Sequence, residues 1–432
     1  MRVKELAFVE FCFFDIRIFV KRNKNSCLAA ANGYILFSFL RVRREKARPE
    51  RLSKEKEVDM ERVKSNLLLD FIKKNTVFVI ATVAAIISCI LVPPDEKYLG
   101  YYDLKTLTSL LCMLAVIEGL KNISFFGILA QKIIRLFKTT RSAITALVFI
   151  TYFASMLIAN DMALITFLPL GYFVLTATKK QKFMAYTFIL QTIAANLGGM
   201  ITPFGNPQNL YLYNRFSIPN GEFFSIMWFP TALSVLLLIA CCAFIKNEKF
   251  DEAEYSDKKL DVKRAVVFFA LFAYAIIIVF RVVPFWTGLF MLPIIFLFDR
   301  KAVFQVDYVL LLTFCMFFTF AGNLVRLPAV NEFFGTLLSK NTLLTGVLSC
   351  QAISNVPSAI LLSGFTTDYA HLLVAVNIGG CGTLISSLAS LISFKHFCEY
   401  QPENVKKYLI TAHALNFSFL IILTVCCSFI TL

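Results

Sequence analysis

Eleven apolar runs follow one another along the chain, at 76–93, 104–120, 142–178, 183–213, 224–245, 265–281, 284–298, 304–324, 341–366, 369–394 and 408–430. Runs of about 20 apolar residues match the thickness of a hydrocarbon core, so the pattern predicts an all-α polytopic membrane protein. Lys and Arg between the runs set orientation, because cytoplasmic loops collect them. Lys73 and Lys74 put the start of the first run inside, and the loop at 94–105, with only Lys97 and Lys105, outside. Lys121, Lys132, Arg135, Lys138 and Arg141 mark the next connection as inner. There Phe125, Phe126, Leu129, Ile133, Ile134 and Phe137 recur at helical spacing, which predicts an amphipathic helix on the inner surface.

Two runs do not fit single spans. The run 142–178 holds one charge, Asp161, and as one helix would extend about 55 Å against a core of about 30 Å. Arg141 opens it and Lys179, Lys180 and Lys182 close it, so both ends belong inside. The chain must turn near Asn160–Asp161, either as a tight pair of spans or as a re-entrant hairpin. The run 341–366 is too short for two spans and too long for one upright span. It predicts a hairpin turning at Ser354–Asn355, and its flanks, poor in Lys and Arg like the helix expected at 327–340, place its entry outside.

Opposite charge flanks on two similar elements suggest an inverted repeat. Asn196, Gly198, Gly199 and Thr202 match Asn377, Gly379, Gly380 and Thr383 without a gap, and upstream Asn160 pairs with Asn355. The predicted organisation is a first repeat at 60–245, a charged cytoplasmic linker at 246–264 and a second repeat at 265–432. Each repeat has a hairpin and a discontinuous helix, the plan of many secondary transporters. Residues 1–59 differ, with fourteen Lys/Arg and eight Asp/Glu. They are expected to be a disordered extension or to precede the true start at Met60.

The first break is strongly marked. Gly198 and Gly199 are followed by Thr202, Pro203, Gly205, Asn206, Pro207, Gln208 and Asn209, which cannot continue a regular helix. Irregular backbone at membrane depth survives only inside protein or beside a water-filled cavity. Freed amides there attract anions; freed carbonyls with Asn, Ser and Thr side chains suit Na⁺. The second break has Gly379, Gly380 and Gly382 but no nearby proline. Candidate binding residues are therefore Asn160, Asp161, Asn196, Gly198, Gly199, Thr202, Gly205, Asn206, Pro207, Asn209, Ser354, Asn355, Pro357, Ser358, Asn377, Gly379, Gly380 and Thr383, with a candidate Na⁺ position near Asn160 and Asn355. A glycine pair can equally serve close helix packing. Asp161 reads as a Na⁺ or proton coupling group or as an N-cap of the second hairpin arm. Glu118 reads as a surface partner of Lys121.

Composition narrows the alternatives. Charged residues are 16% of 432, hydrophobic ones 58%, and mean hydropathy is +0.70. The net charge of +15 is the excess of inner-loop bases, not a nucleic-acid surface. Twelve cysteines lie mostly in apolar runs without CxxC spacing, and three histidines form no HExxH, so neither a disulfide framework nor a metal cofactor is expected. An intramembrane enzyme would need clustered His, Cys, Asp or Glu within the spans, which are scarce here. A channel is less compatible with broken-helix repeats than alternating access.

Asn160-Asp161 with its apolar arm to Pro169, the segment Gly205-Asn206-Pro207-Gln208-Asn209, and Ser354-Asn355-Val356-Pro357-Ser358 give the chain, over about residues 70–430, a resemblance to the ion-transporter superfamily. That group includes arsenite permeases, NhaD-type sodium/proton antiporters, citrate transporters and divalent anion/sodium symporters. The chain looks most like its citrate-transporter-like anion permeases. The resemblance implies a scaffold, a mobile transport domain, elevator-type motion, often a homodimer, and residence among lipids of a bacterial inner membrane. It further implies a secondary transporter of a small anion driven by Na⁺ or H⁺, or else a Na⁺/H⁺ antiporter or arsenite-type efflux permease. Dicarboxylate symporters carry Ser-Asn-Thr at both tips. Here the tips read Ala159-Asn160-Asp161 and Ser354-Asn355-Val356, the first closer to the arsenite and antiporter branches.

Overall fold

The computed structural model describes residues 75–134, 136–249 and 260–429. The expectation for residues 1–59 falls outside them, as does most of the linker. Among the described residues the regular structure is helical, with one isolated bridge between Thr139 and Lys249. Among the described residues six helices are long and apolar enough to cross a membrane. The chain is an all-α polytopic membrane protein.

In the first half α1 is Thr76–Leu91, α2 Leu104–Asn122 and α3 Phe125–Ile134. The long third run splits into α4 (Thr140–Ser155) and α5 (Asn160–Ala177), turning where Asn160 was expected to turn it. The fourth run splits into α6 (Met184–Gly198) and α7 (Pro207–Arg215), and α8 is Asn220–Ala243. The second half contains α9 (Val262–Val279), α10 (Met291–Phe298), α11 (Arg300–Gln305), α12 (Tyr308–Val325) and α13 (Pro328–Lys340). Its hairpin is α14 (Thr342–Ile353) and α15 (Asn355–Leu362), its broken helix α16 (Tyr369–Ile378) and α17 (Leu388–Tyr400), and α18 is Val405–Ser428.

Two expectations need correction. The run 284–298 is not one helix: a 3₁₀ turn, Phe285–Phe290, precedes α10, which is only 8 residues long. Pro284 opens that turn, and Pro293 lies in the first turn of α10, so neither supplies an amide for a continuous helix. Glu118 is no surface residue. It is 7% exposed, within a stretch of α2 buried from Thr106 to Leu120, and Lys121 Nζ reaches its Oε1 at 3.0 Å. The i, i+3 geometry lets the lysine follow the carboxylate to the edge of the packed region.

Two groups of helices can be followed in the packing, touching where α12 meets α15 and α2 meets α7. In one, α1 lies along α12, and α2 lies against α9, α10 and α11. In the other, α6 packs on α4 and α5, α16 packs on α14, and α17 packs on α5 and α6. The helices α3 and α13 lead from α2 and α12 into the two hairpins. At the end of the helix before each, a residue is held by an aspartate of the opposite half. Asn122 Nδ2 donates to Asp299 Oδ2 at 3.0 Å, and the Arg326 guanidinium donates to both oxygens of Asp95 at 3.0 and 2.6 Å. On the linker side, Thr140 N donates to Glu248 O at 2.8 Å, and Glu248 receives Lys180 and Lys182 at 2.7 and 2.6 Å. This strap closes both ends of the first hairpin.

Candidate functional site

Both hairpins turn at the level of the helix breaks. Each tip asparagine begins its returning helix, and its Oδ1 accepts from the next backbone amide: Asp161 N at 3.0 Å and Val356 N at 2.9 Å. The carboxamide nitrogen is thereby turned outward. Asn160 Nδ2 donates to Asn196 Oδ1 at 3.1 Å. Asn196 Nδ2 donates across to the other half, to Gly380 O at 3.2 Å and Ser387 Oγ at 3.0 Å. A methyl on Gly380 would lie 3.3 Å from Asn355 Nδ2 and 3.7 Å from Asn196 Cγ, so the second tip rests on the same glycine. Asn160 and Asn355 therefore stand on either side of Asn196 and Gly380.

One contact recurs at matching positions in the two halves. Thr202 Oγ1 donates to Met156 O at 2.6 Å, and Thr383 Oγ1 to Gln351 O at 3.2 Å. Each acceptor lies four residues before its tip asparagine. The match that pairs Asn196 with Asn377 also pairs Asn206 with Ser387. In the structure Asn196 bonds Ser387, and Asn377 bonds Asn206, whose Nδ2 donates to Asn377 Oδ1 at 3.2 Å. Each broken helix reaches into the break of the other.

A directional relay of carboxamides fills the first break. Asn209 Nδ2 donates to the carbonyls of Gly199, Met200 and Thr202 at 3.2, 3.1 and 3.1 Å. Its Oδ1 accepts from Asn377 Nδ2 at 2.5 Å, which also donates to Leu373 O at 2.8 Å. Asn377 Oδ1 then accepts from Asn206 Nδ2 and from Gln208 Nε2 at 3.4 Å. With every amide oriented, Asn206 Oδ1 and Gln208 Oε1 are left as buried acceptors without a donor. Such orphans are uncommon in folded proteins and mark a place for a further donor or a cation. Both side chains are 1% exposed. Neutral carboxamide oxygens are of the kind that bind a hard cation such as Na⁺.

The remaining candidates have distinct places. Gly198 ends α6, and Gly199 starts the short 3₁₀ turn Gly199–Ile201. Gly205 packs against Gly199, Asn206 is the extended N-cap of α7, and Pro207 takes its first position, where no amide is required. Ser354 adopts φ +75° at the second turn. Pro357 lies in the first turn of α15. Ser358 bonds Ser354 O at 2.7 Å and Ser349 Oγ at 2.8 Å, stapling the two hairpin arms. Gly379 accepts from Gln351 through its carbonyl at 2.9 Å. Asp161 is not an N-cap: Ala159 occupies that position, without a side-chain bond. Asp161 is half-buried in the first turn of α5, where the helix dipole favours a negative charge, within Coulombic range of Asp307. Its carboxylate makes none of the cluster's hydrogen bonds; only its backbone amide takes part, donating to Asn160 Oδ1. The sequence alone does not mark Ser387, Gln208 or Gln351 as binding residues. Pairing with Asn206 could have found Ser387; nothing local marks Gln351.

The model of the citrate transporter family matches residues 67–377. The chain belongs to the citrate transporter family. It is 31% identical over 293 residues to an uncharacterized transporter of Methanocaldococcus jannaschii, covering 67% of this chain and 80% of that protein. It is 32% identical over 307 residues to the inner membrane protein YbiR of Escherichia coli, covering 68% and 80%. The citrate transporter family match takes in α1 to α15 and most of α16, and so includes both hairpin tips and Asn377. The chain is accordingly a multi-pass membrane transporter. Among the described residues no group of His, Cys, Asp and Glu is arranged to hold a metal ion.

Proposed function

We propose that this transporter is a secondary carrier of a small anion, working by alternating access in an inner (plasma) membrane and driven by Na⁺ or H⁺. The observation that carries the reading is the meeting of two hairpin tips and two helix breaks in one buried cluster. Helix breaks facing one another near mid-membrane are how such carriers form a substrate site from backbone and neutral side chains. The group containing α1, α2 and α9–α12 would be the scaffold; the hairpins and broken helices would form the moving part. The tip amides of Asn160 and Asn355 are donors suited to an oxyanion. The unmatched oxygens of Asn206 and Gln208 suit a coupling cation, which would also offset the substrate's charge. Citrate is the first anion to test, given the family.

Asp161 favours a second reading, exchange of Na⁺ for H⁺ or efflux of an oxyanion. A carboxylate on a hairpin tip is costly at membrane depth and is a natural carrier of a coupling charge. Uptake of labelled citrate into proteoliposomes under imposed Na⁺ or pH gradients separates the two. Accumulation that follows a gradient supports the carrier reading. Dissipation of a pH gradient by Na⁺ without citrate uptake supports exchange.

A further inference from the structure

The second break lacks the prolines and asparagines that shape the first, yet it has a defined form. The position matching Asn209, whose carboxamide ties three carbonyls of the first break, is Ser390. Its hydroxyl bonds Ser387, and it supplies no carboxamide. Gln351, on the first arm of the second hairpin, stands in. Its Nε2 donates to Gly379 O at 2.9 Å and Cys381 O at 3.0 Å, and its Oε1 accepts from Thr383 N at 2.8 Å. Its backbone carbonyl accepts the Thr383 hydroxyl at 3.2 Å. Gly382 crosses beneath the side chain at φ +115°, where a Cβ would collide with the Gln351 carboxamide. At the matching place in the first half stands Met156, which contributes only its backbone carbonyl.

We infer that Gln351 is the positioning residue of the second half. It holds residues 379–383 in the shape that aims Gly380 O at Asn196 and seats the Asn355 amide. The carboxamide clamp is thus supplied from opposite places in the two halves: from the helix after the break in the first, from the hairpin in the second. Gln351 makes no bond to the unmatched oxygens. It acts on substrate through the backbone it shapes, and so governs affinity more than turnover. The inference rests on the carrier reading for its effect on transport, but not for its effect on the backbone.

The test uses the full chain, with Gln351→Met to copy position 156 and the milder Gln351→Asn, one methylene shorter. Amide exchange over 379–383 and the KM and Vmax of citrate uptake are measured in each. Loss of a three-bond clamp should raise exchange at Thr383 and KM by about tenfold or more, with Vmax within about twofold. Gln351→Asn should fall between the wild type and Gln351→Met, and it carries the test should Gln351→Met not fold. Faster exchange with unchanged KM would make Gln351 merely structural and overturn the inference; unchanged exchange would overturn it outright. If the wild type takes up no citrate, the carrier reading fails for that substrate. Exchange then decides alone: a rise confined to 379–383 supports the clamp, and no rise rejects it.

Discussion

Asn377 is the hub through which the second broken helix holds the first, and Asn377→Ala tests that role. The substitution removes an acceptor for Asn206 and Gln208 and a donor to Asn209, at 3.2, 3.4 and 2.5 Å. Those three partners are 1%, 1% and 0% exposed, so water cannot replace the lost bonds without a rearrangement. Asn206 Nδ2 keeps its bond to Asn196 O at 3.3 Å, whereas Gln208 Nε2 and Asn209 Oδ1 lose their partner; at about 1–3 kcal/mol for each buried unpaired group the loss amounts to about 2–6 kcal/mol. That is a large fraction of a typical folding free energy of about 5–15 kcal/mol. Unfolding in mixed micelles, titrated from mild to denaturing detergent, reads the change directly. A Ser393→Ala control removes only bonds to Tyr408 Oη at 3.0 Å and Phe188 O at 3.4 Å, and should cost about 1–2 kcal/mol. A loss below about 1 kcal/mol for Asn377→Ala would refute the relay as the connection between the halves.

Two further outcomes follow from charge. Asp161→Asn should abolish the pH or Na⁺ dependence of transport while leaving the fold intact, because the Asp161 side chain makes no bond in the cluster; an unchanged profile in proteoliposomes would remove Asp161 from coupling. Lys180 and then Lys182, bonded to Glu248, pull its carboxyl from an ordinary value of 4.5 down to about 2. A depressed carboxyl stabilises the fold fully above its ordinary value and loses that contribution as pH falls through the folded one, so Tm should drop between pH 4.5 and about 2. Glu248→Gln should flatten that part of the curve; an identical curve would show that the strap does not hold the hairpin base.

The spans and both turns were legible because their signals are local. A 37-residue run with basic residues at both ends has to turn, and Asn160 is where its polarity changes. The first break was equally plain, since Gly, Pro and Asn lie together within a dozen residues. The second was not, because its form depends on Gln351, about thirty residues upstream and inside an apolar run. Glu118 misled because spacing alone cannot say whether an ion pair lies at the rim of a packed region or within it. Asn160 lies 38 residues before Gly198 but Asn355 only 24 before Gly379, chiefly because α5 has 18 residues and α15 only 8. The direction of the amide relay is a property of three-dimensional contacts and has no linear signature.

The most direct measurement is citrate uptake by proteoliposomes carrying wild-type, Asn160→Ala or Asn355→Ala protein, with folding verified for each. The account predicts gradient-driven accumulation by the wild type and none by either variant. Normal accumulation by both variants would contradict it.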